Sequence, residues 1–192
     1  MAEVLLLHHA LGLTPGIQQF AAGLRECGHV VHTPDLYAGQ TFTTIEEGMA
    51  HAQQIGFPEG IIAAGEQVAE SLPEELVYVG FSLGVLPAQK LAQSRPGARG
   101  AVLVYSCVPL GFFGDSWPAG VPVQVHGMED DPIFAGEGDL DAARSLVESS
   151  PDAQLFLYPG DQHYFAEPGL PSYRPEAAEL LTSRIRDFLE RT

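Results

Sequence analysis

The chain has 192 residues, 45% hydrophobic and 18% charged, the balance of a globular protein able to bury a full core in a single domain. Its 25 acidic residues against nine basic ones give a formal net charge of −16, which argues against nucleic acid and anionic membranes as partners, since both reward clustered Lys and Arg. Cys27 and Cys107 have neither metal-ligand nor redox spacing, and no stretch approaches the roughly 20 apolar residues of a membrane span. The start, Met1 to Leu7, lacks a basic region and is too short in its apolar run for export, so the expected setting is the cytoplasm.

Residues 3–8 read as a buried strand through the unbroken Val4-Leu5-Leu6-Leu7. After a turn-rich loop, Ile17, Phe20, Ala21 and Leu24 recur at helical spacing up to Gly28, which predicts a glycine-capped helix. His29 to Thr33 gives a short second strand, and the short connections predict that it pairs parallel with the first. Thr44 reads as an N-cap with Glu46 and Glu47 in the first turn of a helix to about Ile55, and a further helix runs from about Ile61 to Ser71. A strand at 76–80 leads to a helix at 84–94, with Pro87 near its first turn, where the lost amide costs little. Further strands are predicted at 100–105, 121–126 and 153–158, with helices from Asp139 to Glu148 and from about Pro175 to Leu189. Strands and helices alternate without repeats or a visible linker. The expected fold is α/β, a mostly parallel doubly wound sheet of about six to seven strands with helices on both faces. Such sheets bind ligands at the carboxyl ends of their strands, so the residues just after each strand carry the information.

The stretch Gly80-Phe81-Ser82-Leu83-Gly84 lies between a strand and a helix, the layout of a nucleophile elbow. A serine on so sharp a turn needs small residues two before and two after it, and Gly80 and Gly84 meet that need. Glu129-Asp130-Asp131-Pro132 follows the fifth strand, and Gly160-Asp161-Gln162-His163 follows the sixth. The order Ser, Asp, His is that of a hydrolase triad, in which an imidazole takes the serine proton and a carboxylate orients the imidazole. His163 is the candidate base. The acid is Asp131 or its neighbour Asp130, with Asp131 favoured because Pro132 pins its backbone to extended geometry. Other readings stand beside this one. Ser82 as a plain turn residue would make the chain a non-catalytic binding protein, while an acyltransferase would use the same triad. A metal site built from His8, His9, His126 and the aspartate pair lacks ligand spacing on any one element.

Several stretches together resemble the dienelactone hydrolase family of α/β-hydrolases: Gly12-Leu13-Thr14-Pro15-Gly16, Pro34-Asp35-Leu36-Tyr37, the elbow, Glu129-Asp130-Asp131-Pro132, and Tyr158-Pro159-Gly160-Asp161-Gln162-His163-Tyr164-Phe165. The resemblance implies a compact α/β-hydrolase fold without a lid domain, acting on a small-molecule ester or lactone without a cofactor or metal. It aligns Asp131 as acid and His163 as base, and it implies an oxyanion hole from the amides of Leu83 and Ala10. Three positions depart from the founding enzymes. Ser82 replaces a cysteine, His9 stands where a glutamate is expected, and Glu167 stands where an arginine holds a substrate carboxylate. A carboxylated lactone therefore fits poorly. His9, Tyr37, Phe112, Phe113, Trp117, Phe134 and Tyr164 lie in or near loops that are expected to wall the pocket.

Overall fold

A computed structural model describes residues 1–192. Six strands, β1 (Glu3–Leu7), β2 (Val30–His32), β3 (Val77–Phe81), β4 (Gly100–Val104), β5 (Val123–Met128) and β6 (Ala153–Tyr158), form one sheet in the order β2-β1-β3-β4-β5-β6, every pair parallel. β3 and β4 are buried along their whole length, as expected for apolar strands covered on both faces. The six helices are α1 (Pro15–Glu26), α2 (Ile45–Gln54), α3 (Glu59–Glu70), α4 (Val85–Ser94), α5 (Asp139–Ser149) and α6 (Pro175–Arg191).

Alternation along the strands splits the core in two, because successive side chains point to opposite faces. On one face Val4, Leu6, Val77, Val79 and Val102 pack with Ile17, Ala21 and Leu24 of α1 and Leu181, Ile185 and Phe188 of α6. On the other, Leu5, Leu7, Tyr78, Ala101 and Leu103 pack with Val85, Ala88 and Leu91 of α4 and Leu140, Ala143 and Leu146 of α5. The result is a doubly wound sheet. No helix is long and apolar enough to cross a membrane.

Local chemistry sets the element ends. Thr14 caps α1 by accepting from the Ile17 amide, and Gly28 (φ 88°) turns the chain out of it, with the Gly28 amide donating to the Arg25 carbonyl and the His29 amide to the Leu24 carbonyl. Thr44 caps α2 in the same way, accepting from Glu47. One boundary differs from the sequence expectation in a way that matters for the site. β5 continues to Met128, because β6 pairs with it as far as Met128 opposite Tyr158, so His126 and Gly127 lie inside the strand rather than at its exit.

The chain reverses direction across the sheet between β1 and β3. From β1 it steps outward to β2, then returns to place β3 on β1's other side. This topological switch point is where an open α/β sheet leaves a crevice at its strand ends.

Candidate active site

β3 ends at Phe81, and a single 3-10 turn, Ser82–Gly84, leads directly into α4. Ser82 sits in the left-handed region at φ 47°, a conformation that costs a non-glycine residue on the order of 1–3 kcal/mol. Close packing holds it there. A Cβ on Gly80 would lie 2.5 Å from the Gly84 carbonyl oxygen and 2.8 Å from Ala88 Cβ, and one on Gly84 would lie 2.7 Å from the His8 carbonyl oxygen. Strand β1 is thus packed directly against the elbow.

Two other strand exits meet Ser82. His163, in the loop after β6, places Nε2 2.9 Å from Ser82 Oγ, and its Nδ1 lies 2.7 Å from Asp131 Oδ2. Asp131, just after β5, is fully buried, and its other oxygen accepts from the Ile133 amide at 2.9 Å. Because a carboxylate only accepts, Nδ1 carries the imidazole proton and Nε2 offers a lone pair to the serine hydroxyl. Asp130, by contrast, is exposed, and its amide donates to the Gly160 carbonyl. The arrangement is a hydroxyl, an oriented imidazole and a buried carboxylate in line, and it can make Ser82 a nucleophile.

Ala10 and Leu83 are buried together in a small cluster with Tyr37, Ala52 and Ile61. The Ala10 amide has no backbone acceptor, and that of Leu83 immediately follows Ser82. Tyr37 belongs to this cluster, edge-on to His8 at 4.9 Å.

His9 and Glu167 face each other across 158 residues, with Nε2 3.2 Å from Oε2. Thr14 Oγ1 donates to the other carboxylate oxygen at 2.6 Å, and the Leu11 amide donates to His9 Nδ1 at 3.3 Å. The second bond puts the His9 proton on Nε2, so it donates to Glu167. The carboxylate fits because residue 16 is glycine; a Cβ there would lie 2.6 Å from Glu167 Oε2. Tyr105, at the end of β4 with φ 70°, accepts from the Ala166 amide at 3.0 Å, and its ring lies 5.5 Å from that of His163. Sequence reasoning passed over Tyr105; its place at a strand exit was the available signal.

The expected pocket walls divide. Tyr164 and His9 lie at the site. Phe134 does not: it is fully buried, packed on Gly127, where a Cβ would be 2.8 Å from its ring. Trp117 is also a core residue, its Nε1 donating to the Val121 carbonyl at 2.6 Å. Phe112 is 55% exposed and stacks edge-on with Phe113, over which Lys90 rests 5.9 Å away. Phe134 and Trp117 thus pack as core, and Phe112 lies at the surface with Phe113 against it. Helix α5 packs on the sheet face beyond the site and draws Phe134 and Trp117 into the core between them.

His8 and His126 are separate buried groups, each satisfied locally. His8 Nδ1 donates to the His9 carbonyl at 2.8 Å and its Nε2 accepts from the Leu36 amide at 3.0 Å. His126 accepts from the Tyr158 hydroxyl at 3.0 Å and donates to Gln124 Oε1 at 3.2 Å. Burial pushes both imidazoles down from 6.5, His8 to about 4 and His126 to about 3, with Arg184 adding to the effect at His126. Both are neutral in the folded chain but protonate near 6.5 when unfolded. The unfolded state therefore binds more protons between these values, and stability is complete above pH 6.5 and falls as pH drops below it. The expected loss is about 1.4 kcal/mol per pH unit for each histidine. Urea unfolding at pH 7.5, 6 and 5 measures it, and His126→Gln is expected to flatten the slope.

A family model described as the dienelactone hydrolase family matches residues 1–192. A carboxymethylenebutenolidase of Rhodococcus opacus is 26% identical over 206 residues, covering 98% of this chain and 80% of that protein. A Saccharolobus solfataricus protein, provisionally named a carboxymethylenebutenolidase, is 32% identical over 130 residues, which are 68% of this chain but only 49% of the relative. The chain thus aligns with about half of that relative's length. Among solved structures, a dienelactone hydrolase-like promiscuous phosphotriesterase from metagenomic libraries superimposes with a TM-score of 0.79 at 17% identity, covering all of this chain and 86% of the other. The fold is shared with that structure, and on the full-length match the chain belongs to the dienelactone hydrolase family.

Proposed function

We propose that this chain hydrolyses a small ester or lactone through an acyl-enzyme on Ser82. The observation that carries the reading is the continuous relay from Asp131 through His163 to Ser82, at 2.7 and 2.9 Å. His163 Nε2 takes the hydroxyl proton as Oγ bonds to the carbonyl carbon, and Asp131 stabilises the imidazolium that forms. The carbonyl oxygen becomes an oxyanion facing the amides of Ala10 and Leu83. As the carbon–oxygen bond to the leaving group breaks, His163 returns the proton to the departing alcohol. Water then attacks the acyl group, with His163 taking its proton, and Ser82 leaves as the hydroxyl. An acceptor alcohol in place of water would make the same site an acyltransferase.

The carboxymethylenebutenolidase name of the relatives suggests the substrate class. It carries over only in part, since the position expected to hold a substrate carboxylate is Glu167, buried and already bonded to Thr14 and His9. An uncharged ester or lactone suits this chain better. Cys27 and Cys107 are free, in keeping with a reducing cytoplasm.

A fluorophosphonate is expected to add one phosphonyl group to the peptide containing Ser82, read by mass spectrometry. Ser82→Ala is expected to abolish both the adduct and p-nitrophenyl acetate hydrolysis. Labelling or turnover that survives the substitution overturns the reading.

A further inference from the structure

We propose that the Tyr164 hydroxyl is a third donor to the oxyanion, and so a catalytic residue of this site. The inference rests on the acyl-enzyme reading above and adds a group to it. Tyr164 is 4% exposed, yet its hydroxyl has no hydrogen-bond partner of ordinary geometry. A buried hydroxyl without a partner costs on the order of 1–3 kcal/mol, so a fold that keeps one needs a reason. The Ser82 side chain and the Ala10 amide lie against it, close enough to oppose in part the burial that pushes the phenol above its usual range. The Ala10 amide has no backbone acceptor and faces this same hydroxyl. The amide and the hydroxyl therefore converge beside the nucleophile, where the carbonyl oxygen of a bound ester gains negative charge.

The ring has little freedom to carry the hydroxyl elsewhere. His9 lies 4.6 Å from its centroid, His163 4.7 Å and Tyr105 5.7 Å. His9 is in turn fixed by the Leu11 amide and by Glu167, whose carboxylate is held by Thr14 at the start of α1. The Glu167 amide donates to the Tyr164 carbonyl at 3.1 Å, closing the loop on itself. These are the requirements of a preorganised donor: fixed before substrate arrives and unpaired until charge develops. The phenol stays protonated, since burial pushes it well above its usual range.

Tyr164→Phe removes the hydroxyl and keeps the ring. With p-nitrophenyl acetate the expected result is a fall in kcat on the order of 10²-fold, with KM changed less than about threefold, as for loss of one oxyanion donor. Fluorophosphonate labelling of Ser82 is expected to slow by a similar factor, because the phosphoryl oxygen occupies the same place. The melting temperature is expected to hold or rise, since an unpartnered buried polar group is lost. An unchanged kcat overturns the inference, and so does a raised one, which would mean that the hydroxyl obstructs the hole. If Tyr164→Phe fails to fold, 3-fluorotyrosine at position 164 serves instead; it makes the hydroxyl a stronger donor, and an unaltered kcat is then the negative result. Failure of the underlying reading is seen separately: Ser82→Ala would retain turnover, whereas loss of turnover in Ser82→Ala with a normal Tyr164→Phe enzyme removes only the third donor.

Discussion

Asp131→Asn is expected to lower kcat for ester hydrolysis by about 10⁴-fold while leaving the fold intact. The size follows from the number of bonds the carboxylate makes. One oxygen accepts from the Ile133 amide and the other from His163 Nδ1, in a fully buried setting. An asparagine has one acceptor and one donor group. If its oxygen keeps the Ile133 bond, its NH₂ faces Nδ1, and the imidazole must move its proton to Nε2. The atom facing Ser82 Oγ then donates and can no longer take the hydroxyl proton. The opposite placement sets the NH₂ against the Ile133 N–H and leaves two buried donors in opposition. Nitrogen NMR of His163 distinguishes the tautomers directly, and Asp130→Asn is the matched control. Asp130 is exposed and does not face the histidine, so its loss is expected to change kcat by less than about twofold.

The second large effect is on folding. Gly84→Ala is expected to destabilise the chain by more than about 4 kcal/mol, the far tail of single substitutions. Gly84 has an ordinary helical backbone, φ −66°, so conformation is not the obstacle. Space is. The added carbon would lie 2.7 Å from the Leu7 carbonyl carbon and 2.7 Å from the His8 carbonyl oxygen, both backbone atoms where the buried β1 meets its loop. Neither can shift without breaking the pairing of Leu7 with Gly80 or moving Ala10. Gly111→Ala is the comparison, because nothing lies within 4 Å of the new carbon and its φ is not positive. Denaturant unfolding of the two variants is expected to separate them by at least about 3 kcal/mol, and similar stabilities would show that the elbow yields to the added carbon.

The strand and helix order was legible because the signals were local. Apolar runs marked β3 and β4, Thr14 and Thr44 marked helix starts, and glycines two before and two after a serine marked the turn. The strand exits of Asp131 and His163 could be read for the same reason, since a parallel sheet brings successive exits to one edge. What sequence did not disclose was pairing at long range. His9 and Glu167 look like two separate departures from a family pattern, yet they are partners, each the reason the other is tolerated. Nothing in either local stretch announces a contact spanning 158 residues. Phe134 misled for a related reason. A phenylalanine in a loop after a strand reads as a pocket wall, and only the placement of α5, together with Gly127 beneath the ring, shows it to be core. The end of β5 reads too early, at residue 126, because β6 extends the strand to Met128 by pairing, a tertiary effect that outlasts the apolar run.

The switch point between β1 and β3 has one more consequence. Ala10 and Ser82 follow neighbouring strands whose register runs from Val4 opposite Val77 to Leu7 opposite Gly80. The gap in which an oxyanion would sit is therefore set by interstrand spacing, about 4.8 Å, rather than by the loops around it. Asp131 and His163 also issue from paired strands. The mostly exposed 110–116 segment is tied instead to α4, where Gln93 Nε2 donates to the Leu110 and Ser116 carbonyls. The spacing of Ala10, Ser82, Asp131 and His163 thus depends on strand pairing, and changes of length in the surrounding loops leave it in place.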